Sequence, residues 1–512
     1  MTYTPKGNAA PPAPPAGPHP SAAPGASAPG TAAPPVPPQG TYASRPPGPP
    51  PPDPDGAPPR RTAFAEGLDQ LKAAAVTEPG RLRIIGAVLA FLVVAFGSVT
   101  AWQMNDRSSA ADDVLHSSQP LSSAAADIYR SLADANTAAS SGFLAGGQET
   151  KASRERYERE IADAADKLAA AAAASESGSE SEKLVAELNE LLPEYKGLVE
   201  RARANNRLGY PLGGAYLRYA NSKMQDDMLP KAQKIYDNEN KRLRDDYADA
   251  TSYPWAAIGL GVVALGGLAW AQRRNYRRTN RVLNHGLVAA TAASTVVLLW
   301  LTVGHTVARS GLNDSYDNGV RSLTVLNDAS IASLKARGNE NLTLISRGAE
   351  TATIKVDGKD TTVDKFDHEF TGDMRELNSA LADAQKIADD ASGEKPVQAA
   401  TASMEVWLER HESAREADDE GDFQCALDQV IGAKDGKVST NCPQGDKPTG
   451  ECFDQVDQNL DNARGHEEEE FRLAAEGGRN AMLGLPVGAA VLAVLGAAGS
   501  VLGIGRRLSE YR

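Results

Sequence analysis

The stretch Ile84–Ala101, IIGAVLAFLVVAFGSVTA, decides the fold, because its eighteen residues include no charged side chain. A helix of this length spans about 27 Å, which matches the hydrocarbon core of a bilayer. Three more stretches share this character: Pro254–Ala271, Gly286–Gly304 and Leu485–Ile504. Buried helices of soluble proteins rarely run so far without a charge. The sequence therefore predicts four transmembrane helices.

Arginine residues concentrate at one end of every predicted span. They precede the first span, fill the link between the second and third, and follow the fourth: Arg81, Arg83, Arg273, Arg274, Arg277, Arg278, Arg281, Arg506, Arg507 and Arg512. The positive-inside bias places that side of the membrane in the cytoplasm. We therefore expect a multi-pass plasma-membrane protein whose two termini are cytoplasmic and whose two long segments lie outside.

The expected fold class is an all-α membrane protein with two extracytoplasmic helical bundles and a disordered, Pro-rich N-terminus. Aromatic residues make up only 5% of the chain, which favours long packed helices over β-sandwiches. The Pro, Ala and Gly residues of the N-terminal tail cannot bury enough apolar surface to offset the entropy of ordering. The expected boundaries are tail 1–61, juxtamembrane helix 62–83, first span 84–101, first bundle 102–253, second span 254–271, basic loop 272–285, third span 286–304, second bundle 305–484, fourth span 485–504 and tail 505–512.

Helical periodicity fills both outside segments. The first segment predicts a four-helix, up-and-down bundle whose last helix continues into the second span. In the second segment, the helix that leaves the third span carries Asn327, Arg337 and Asn341 near its packing seam. These residues either face a ligand or let the helix shift its register, or they only fix the register of a wet bundle. Ala352–Val363 predicts a β-hairpin, and the last helix is expected to enter the fourth span.

The three cysteines all lie in the second outside segment, where an oxidising compartment permits a disulfide. Cys442 and Cys452 bracket a loop rich in Pro and Gly, which favours a local bridge between them. Cys425 paired with either of them is the alternative, and the sequence does not choose between these pairings.

The sequence carries no motif of catalysis or of cofactor or metal binding. It lacks a phosphate-binding Gly-Lys-Ser/Thr loop, a kinase catalytic loop, a His-Glu-x-x-His helix and cysteines at zinc spacing. The net charge of −14 argues against nucleic acid as a partner. We expect a protein that is not an enzyme and needs no cofactor.

The arginines of the link between the second and third spans exceed what topology requires. Together with the apolar helical face Phe64–Leu68–Leu71, they either form a docking surface for a cytoplasmic protein or bind anionic lipid headgroups. The docking residues in this link are Arg273, Arg274, Arg277, Arg278 and Arg281.

Glycines at four-residue spacing mark the fourth span: Gly484 with Gly488, and Gly499 with Gly503. Such pairs let helix backbones approach closely in lipid, either within the chain or in a homodimer. The alternative is that they only reflect a composition rich in Ala and Gly.

Three segments carry a resemblance to a known family: Pro79–Arg83 (PGRLR), Ala215–Pro230 (AYLRYANSKMQDDMLP) and Leu326–Gly348 (LNDASIASLKARGNENLTLISRG). With the four-span plan, they resemble the GlnX-type membrane proteins of actinobacteria over roughly residues 62–512. The Cys442–Cys452 loop has no place in that family pattern. The resemblance implies a transducer that relays amino-acid availability from an extracytoplasmic glutamate/glutamine-binding lipoprotein of the GlnH type to a cytoplasmic Ser/Thr kinase of the PknG type. The small ligand would then bind the lipoprotein rather than this chain.

Two other functions fit the sequence. One is a direct sensor whose four-helix ectodomains bind a small molecule between helices, as in chemoreceptors. The other is an envelope scaffold that uses the Pro-rich tail as a tether. Proteins that co-purify with the chain would distinguish a relay from a scaffold, and calorimetry would reveal a direct sensor.

Overall fold

The computed structural model describes residues 77–146, 149–279, 284–356, 358–433, 437–439, 442 and 447–509. The expected tail 1–61, most of the juxtamembrane segment, Arg281 and the face Phe64–Leu68–Leu71 lie outside the described residues. Within the described part, the chain is helical except for one two-stranded hairpin. The protein is an all-α membrane protein, as the sequence predicts.

The first half of the chain contains seven helices among the residues described. They are α1 (Glu78–Asp113), α2 (Gln119–Leu144), α3 (Lys151–Ala174), α4 (Glu180–Arg207), α5 (Leu212–Ser222), α6 (Leu229–Thr251) and α7 (Trp255–Thr279). A π-helical segment, Val114–Ser118, joins α1 to α2, and a second one, Lys223–Met228, joins α5 to α6. The helical run from Glu78 to Leu144 passes through the π segment without a break, so α1 and α2 form one continuous helix.

The second half follows the same plan, with a hairpin added. Its elements are α8 (His285–Asp314), α9 (Arg321–Ser346), β1 (Thr351–Val356), β2 (Lys359–Asp364), α10 (Lys365–Ile387), α11 (Ala391–Asp419), α12 (Phe423–Ile431), α13 (Thr449–Met482) and α14 (Leu485–Leu508). The π-helical segment Ser315–Val320 joins α8 to α9. The strands pair Ala352 with Val363, which confirms the predicted hairpin.

The two halves are related by an approximate two-fold repeat of their elements. α2 and α9 are both 26 residues long, and both follow a membrane helix through a π segment. α2 packs against α9, while α1 and α8 each pack against both α7 and α14. The chain therefore consists of two similar halves that pack against each other.

The helices that return to the membrane are interrupted at its surface, which corrects the expectation that they continue unbroken. α6 ends at Thr251, and α7 begins only after Pro254, whose ring prevents the preceding residue from remaining helical. α13 ends at Met482, and Gly484 takes a left-handed conformation with φ 77° before α14 begins. The first and third membrane helices alone continue into the central helices of the described head.

The two predicted bundles share one hydrophobic core. We call residues 102–253 and 305–484 the head domain, because they lie outside the predicted spans. Its main cluster of buried side chains combines Ile128 and Tyr195 of the first half with Leu334, Phe370 and Trp407 of the second. Burying these large side chains together makes the head one packed unit rather than two independent bundles.

Four helical stretches are long and apolar enough to cross a membrane, and they contain α1, α7, α8 and α14. Large apolar side chains stay exposed on their outer faces, including Phe91, Val487 and Leu502. In a membrane these faces contact lipid instead of water, so their exposure carries no penalty. The protein is therefore a multi-pass membrane protein.

Candidate functional site

The centre of the head domain is formed by α2 and α9. A surface helix buries one stripe, but residues 131–140 of α2 and 329–344 of α9 are buried almost all round. Buried polar groups are costly unless they are hydrogen-bonded, so this polar pair of helices needs specific partners. The buried polar residues are Ser131, Asp134, Asn136, Thr137, Ser140, Ser330, Ser333, Arg337, Glu340, Asn341 and Thr343.

Polar side chains join α2 directly to α9. The Nδ2 of Asn341 donates to the Oγ atoms of Ser140 and Ser141, at 3.1 and 2.8 Å. The hydroxyl of Thr137 donates to the backbone carbonyl of Leu334 at 3.1 Å. Because α2 continues α1 and α9 continues α8, these bonds connect the two helices that rise from the membrane. We call this contact the α2–α9 seam.

Arg337 and Glu340 form a buried ion pair on α9, with Nη1 2.5 Å from Oε2. The guanidinium also donates to Thr449 Oγ1 at 2.9 Å and to the carbonyl of Val430 at 3.1 Å. Thr449 begins α13 and Val430 lies on α12. Arg337 therefore ties α9 to the start of the helix that returns to the membrane.

His411 of α11 extends this ion pair into a network. Its Nδ1 lies 3.0 Å from Glu340, and its Nε2 lies 3.1 Å from Asp367. Because both ring nitrogens face carboxylates, both carry protons. Burial opposes this charge, but the hydrogen bonds to Asp367 and Glu340 outweigh it and raise the pKa of His411. Burial likewise opposes ionisation of Glu340, and Arg337 with His411 reverses the effect and lowers the pKa of Glu340.

A second ionic cluster joins the two halves of the head. Arg156 of α3 contacts Asp134 of α2 at 2.9 Å, and Asp454 and Asp457 of α13 at 2.8 and 3.1 Å. Burial, against the opposing charge of Arg156, raises the pKa of Asp134 to about 6. Burial and the charge of Asp134 raise the pKa of Asp457 to about 6 as well. Three carboxylates therefore surround the guanidinium of Arg156 at this contact between the halves, and the charge of Arg130 acts on Asp134 and Asp457 as well.

Arg107 of α1 forms hydrogen bonds to the non-helical residues that precede α7. Its Nε donates to the carbonyl of Ser252 at 2.7 Å, and its Nη2 donates to the carbonyl of Tyr253 at 3.4 Å. Arg309 of α8 lies over the Tyr253 ring, 4.7 Å from its centroid. Both rising helices therefore contact the non-helical residues that begin the second membrane crossing.

The disulfide joins Cys425 to Cys442, which corrects the favoured pairing of Cys442 with Cys452. The Cα atoms of the bonded pair are 5.6 Å apart, within the range that a disulfide needs. Cys452 lies in the first turn of α13 and belongs to the main buried cluster of the head. Its side chain points into the core instead of toward the loop, so it remains a free buried thiol.

The glycines of the fourth span divide into two kinds. A Cβ on Gly499 would lie 2.9 Å from the carbonyl oxygen of Gly286, and one on Gly503 would lie 3.0 Å from the Cα of Gly286. A Cβ on Gly488 would lie 2.3 Å from the Trp300 ring, whereas Gly484 has open space and occupies the break before α14. These three glycines therefore make close contacts with α8 within the chain, while α14 also packs against α1.

The arginines of the basic link occupy the last turns of α7. Arg274 stacks on Trp270, 5.7 Å from the ring centroid, and Arg278 pairs with Glu78 at the start of α1 at 2.5 Å. Arg273 and Arg277 are exposed. Two of the predicted docking residues thus have partners inside the chain, and three are exposed at the surface, because Arg278 is both paired and exposed.

Two clefts lie where the halves of the head meet. The first, of about 810 Å³, lies between the π segment after α5 and helices α9 and α10, with Lys335, Asn339 and Asp373 in its wall. The second, of about 1120 Å³, lies between α2 and α3 on one side and α12 and α13 on the other, with Arg156 and Arg337 in its wall. They occupy corresponding places in the two halves.

Residues 110–248 match the family model described as the actinobacterial sensor domain. The match runs from the last turn of α1 to the last turn of α6, so it covers the first half of the head. No curated protein and no solved structure matches the chain. The match indicates a sensory or signalling role for this half.

The three α9 residues selected from the sequence lie in different environments of the folded head. Arg337 and Asn341 lie at the centre of the head, whereas Asn327 is only half-buried and lines a small groove beside α6. Their partners Glu340, His411 and Ser140 were missed. The sequence did carry one signal for these partners. Polar residues interrupt the apolar stripe of α2 in the same way as on α9.

Proposed function

We propose that the protein is a transmembrane signal transducer. It would relay the state of an extracytoplasmic glutamate/glutamine-binding lipoprotein to a cytoplasmic Ser/Thr kinase. The continuity of α1 with α2 and of α8 with α9 is the observation that carries this proposal, because each membrane helix reaches the polar seam. The sensor-domain match to residues 110–248 supports a signalling role independently.

The proposed mechanism uses the two rising helices as the moving parts. A partner that binds the head would shift α2 relative to α9, and each shift would pass through a π segment into the membrane. The returning helices are interrupted at residues 252–254 and 483–484, so a displacement of the head is not passed rigidly along them. The signal would therefore leave through α1 and α8.

The proposed orientation places the head outside the cell and the basic ends in the cytoplasm. The arginines at the ends of α7 and α14 support it through the positive-inside bias. The disulfide between Cys425 and Cys442 supports it too, because the outside compartment is oxidising. Exposed Arg273 and Arg277 would then face the kinase, with the lipid headgroup role as the alternative.

Purification of the tagged full chain with its bound proteins tests the relay. We expect a solute-binding lipoprotein and a Ser/Thr kinase to co-purify. Replacing Arg273 and Arg277 with Gln should release the kinase and retain the lipoprotein, while Arg83→Gln serves as the control. Recovery of cell-wall or division proteins in their place would contradict the relay and favour a scaffold.

A second candidate function is direct sensing of a small molecule, and the two clefts between the halves favour it. A ligand in either cleft would contact both halves and could change how α2 and α9 pack. Calorimetry of the detergent-solubilised full chain with L-glutamate and L-glutamine separates the two functions. Binding that Lys335→Met abolishes supports direct sensing, and heat signals that appear only after addition of the lipoprotein support the relay.

A further inference from the structure

A histidine and two carboxylates meet where the turn between α10 and α11 lies against α13. Asp390 caps α11, and His466 and Glu470 lie one turn apart on α13. One ligand atom from each of the three lies within 4.8 Å of the others. The Nε2 of His466 is 3.1 Å from Asp390 Oδ1 and 3.4 Å from Glu470 Oε1.

Hydrogen bonding alone does not satisfy this arrangement. The Nε2 atom carries at most one hydrogen, yet it faces two carboxylate oxygens. Asp390 Oδ1 already accepts hydrogen bonds from the backbone N–H groups of Ser392 and Gly393, both at 2.8 Å. A cation between the three side chains would use the lone pairs of all of them at once.

The surrounding charge is negative and lacks basic partners. Within the part of the chain that the structure describes, Asp390 and Glu470 pair only with His466, and neither pairs with Lys or Arg. Glu467, only 5% exposed, packs its carboxyl against Gly393 in the turn that Asp390 caps. It forms no ion pair in that described part either, so no Lys or Arg side chain there offsets the acidic groups of this site.

We propose that Asp390, His466 and Glu470 bind a divalent transition-metal ion, with Mn²⁺ and Zn²⁺ as the fitting ions. One imidazole nitrogen with two carboxylate oxygens is a donor set that these metals accept, and water can complete the coordination. The site belongs to the head, on a face that α11 and α13 form. This inference does not depend on the proposed relay or on its partners.

The proposed metal site lies next to the π segment that joins α8 to α9. Phe471, which follows Glu470, packs against Gly319 in the π segment between α8 and α9, where a Cβ on Gly319 would lie 2.7 Å from the Phe471 Cβ. A metal ion that fixes α13 to the turn before α11 would therefore restrain the element next to this π segment. The head would respond to metal as well as to its protein partners.

Calorimetric titration of the metal-stripped full chain in detergent with Mn²⁺ and Zn²⁺ tests the proposal. We expect one equivalent to bind. Glu470→Gln and His466→Gln should each weaken the metal affinity by at least about tenfold. Replacing a residue that only hydrogen-bonds to a metal ligand already weakens affinity by about that factor, and these variants remove a ligand itself. The melting temperature of the metal-free variants should change little, since both side chains are only half-buried and their pairs are partly exposed to solvent.

Glu468→Gln is the matched control. It removes one charge from the same acidic run, but Glu468 is exposed and is not among the three ligand residues. Its affinity for the metal should equal that of the unmodified chain. Absence of binding by the unmodified chain, or equal weakening in Glu468→Gln and Glu470→Gln, would overturn the proposal.

Discussion

Arg337 donates hydrogen bonds to three different elements, and it is 4% exposed. A buried ion pair stabilises a fold less than its Coulomb energy suggests, because both charges lose their hydration. Removing one partner is nevertheless severe, since the other charge stays buried. The network of Arg337, Glu340 and His411 therefore serves to fix one arrangement of α9, α11 and α13.

Arg337→Met should destabilise the head by about 3–5 kcal/mol, because Glu340 then loses one of its two cationic partners inside the core and keeps only His411. Thermal unfolding of the full chain in detergent, followed by circular dichroism, measures the effect. The double variant Arg337→Met with Glu340→Gln should regain much of the loss. Arg154→Met, which breaks an exposed pair with Glu158, is the control and should change little. Equal effects of both arginine variants would contradict this account.

The raised pKa of His411 predicts how the stability of the protein depends on pH. Its pKa in the folded protein lies above the ordinary value of 6.5, so its contribution is complete below pH 6.5. That contribution is lost as pH rises through the raised pKa, because the folded state must then release a proton that it binds tightly. The melting temperature should therefore fall on the alkaline side of pH 6.5.

His411→Gln should lower the melting temperature at pH 6 and flatten its dependence on pH above 6.5. His368→Gln is the control, since His368 is exposed at the rim of the first cleft, whereas His411 is the histidine hydrogen-bonded to Glu340 and Asp367. A pH profile of His411→Gln that is parallel to that of the unmodified chain would show that the imidazole is not the titrating group.

The four membrane helices differ in whether they continue without a break from the membrane into the head. α1 and α8 pass through it and continue into the head, whereas Pro254 and Gly484 interrupt the returning pair. The apolar runs of the sequence identify all four spans, because lipid requires long uncharged helices. The interruptions were visible as Pro and Gly, but the apolar runs around them suggested continuity.

Close helix packing inside the membrane depends on Gly286 of α8. A Cβ at this position would lie 2.3 Å from the carbonyl oxygen of Gly499, so Gly286→Leu should separate α8 from α14. Its melting temperature in detergent should fall well below that of Gly266→Leu. Gly266 of α7 is the matched control, because a Cβ there meets no atom within 4 Å. Equal stability of both variants would mean that the fourth span is not held by this contact.

At the scale of the whole molecule, two similar halves meet at polar contacts between residues far apart in the chain. Asn341 and Ser140 are separated by 201 positions, so no local pattern could assign them to each other. The sequence predicted the spans, the hairpin, and the position of Arg337 and Asn341 near a packing seam, since these follow from periodicity and from polar residues in apolar seams. It did not predict the shared core or the disulfide partner, because both depend on how whole helices are oriented.

The central claim is that the α2–α9 seam is coupled to the basic end of the membrane helices. The test is the rate of disulfide formation between Gly86→Cys and Ile504→Cys, in a Cys452→Ser background. These positions face each other near that end, where a Cβ on Gly86 would lie 3.2 Å from Ile504 Cδ1. Asn341→Ala, which removes the seam bonds to Ser140 and Ser141, should change the crosslinking rate, whereas the control Asn205→Ala, at a half-buried position outside the seam, should not. An unchanged rate in a folded Asn341→Ala protein would contradict the claim that the rising helices carry the signal.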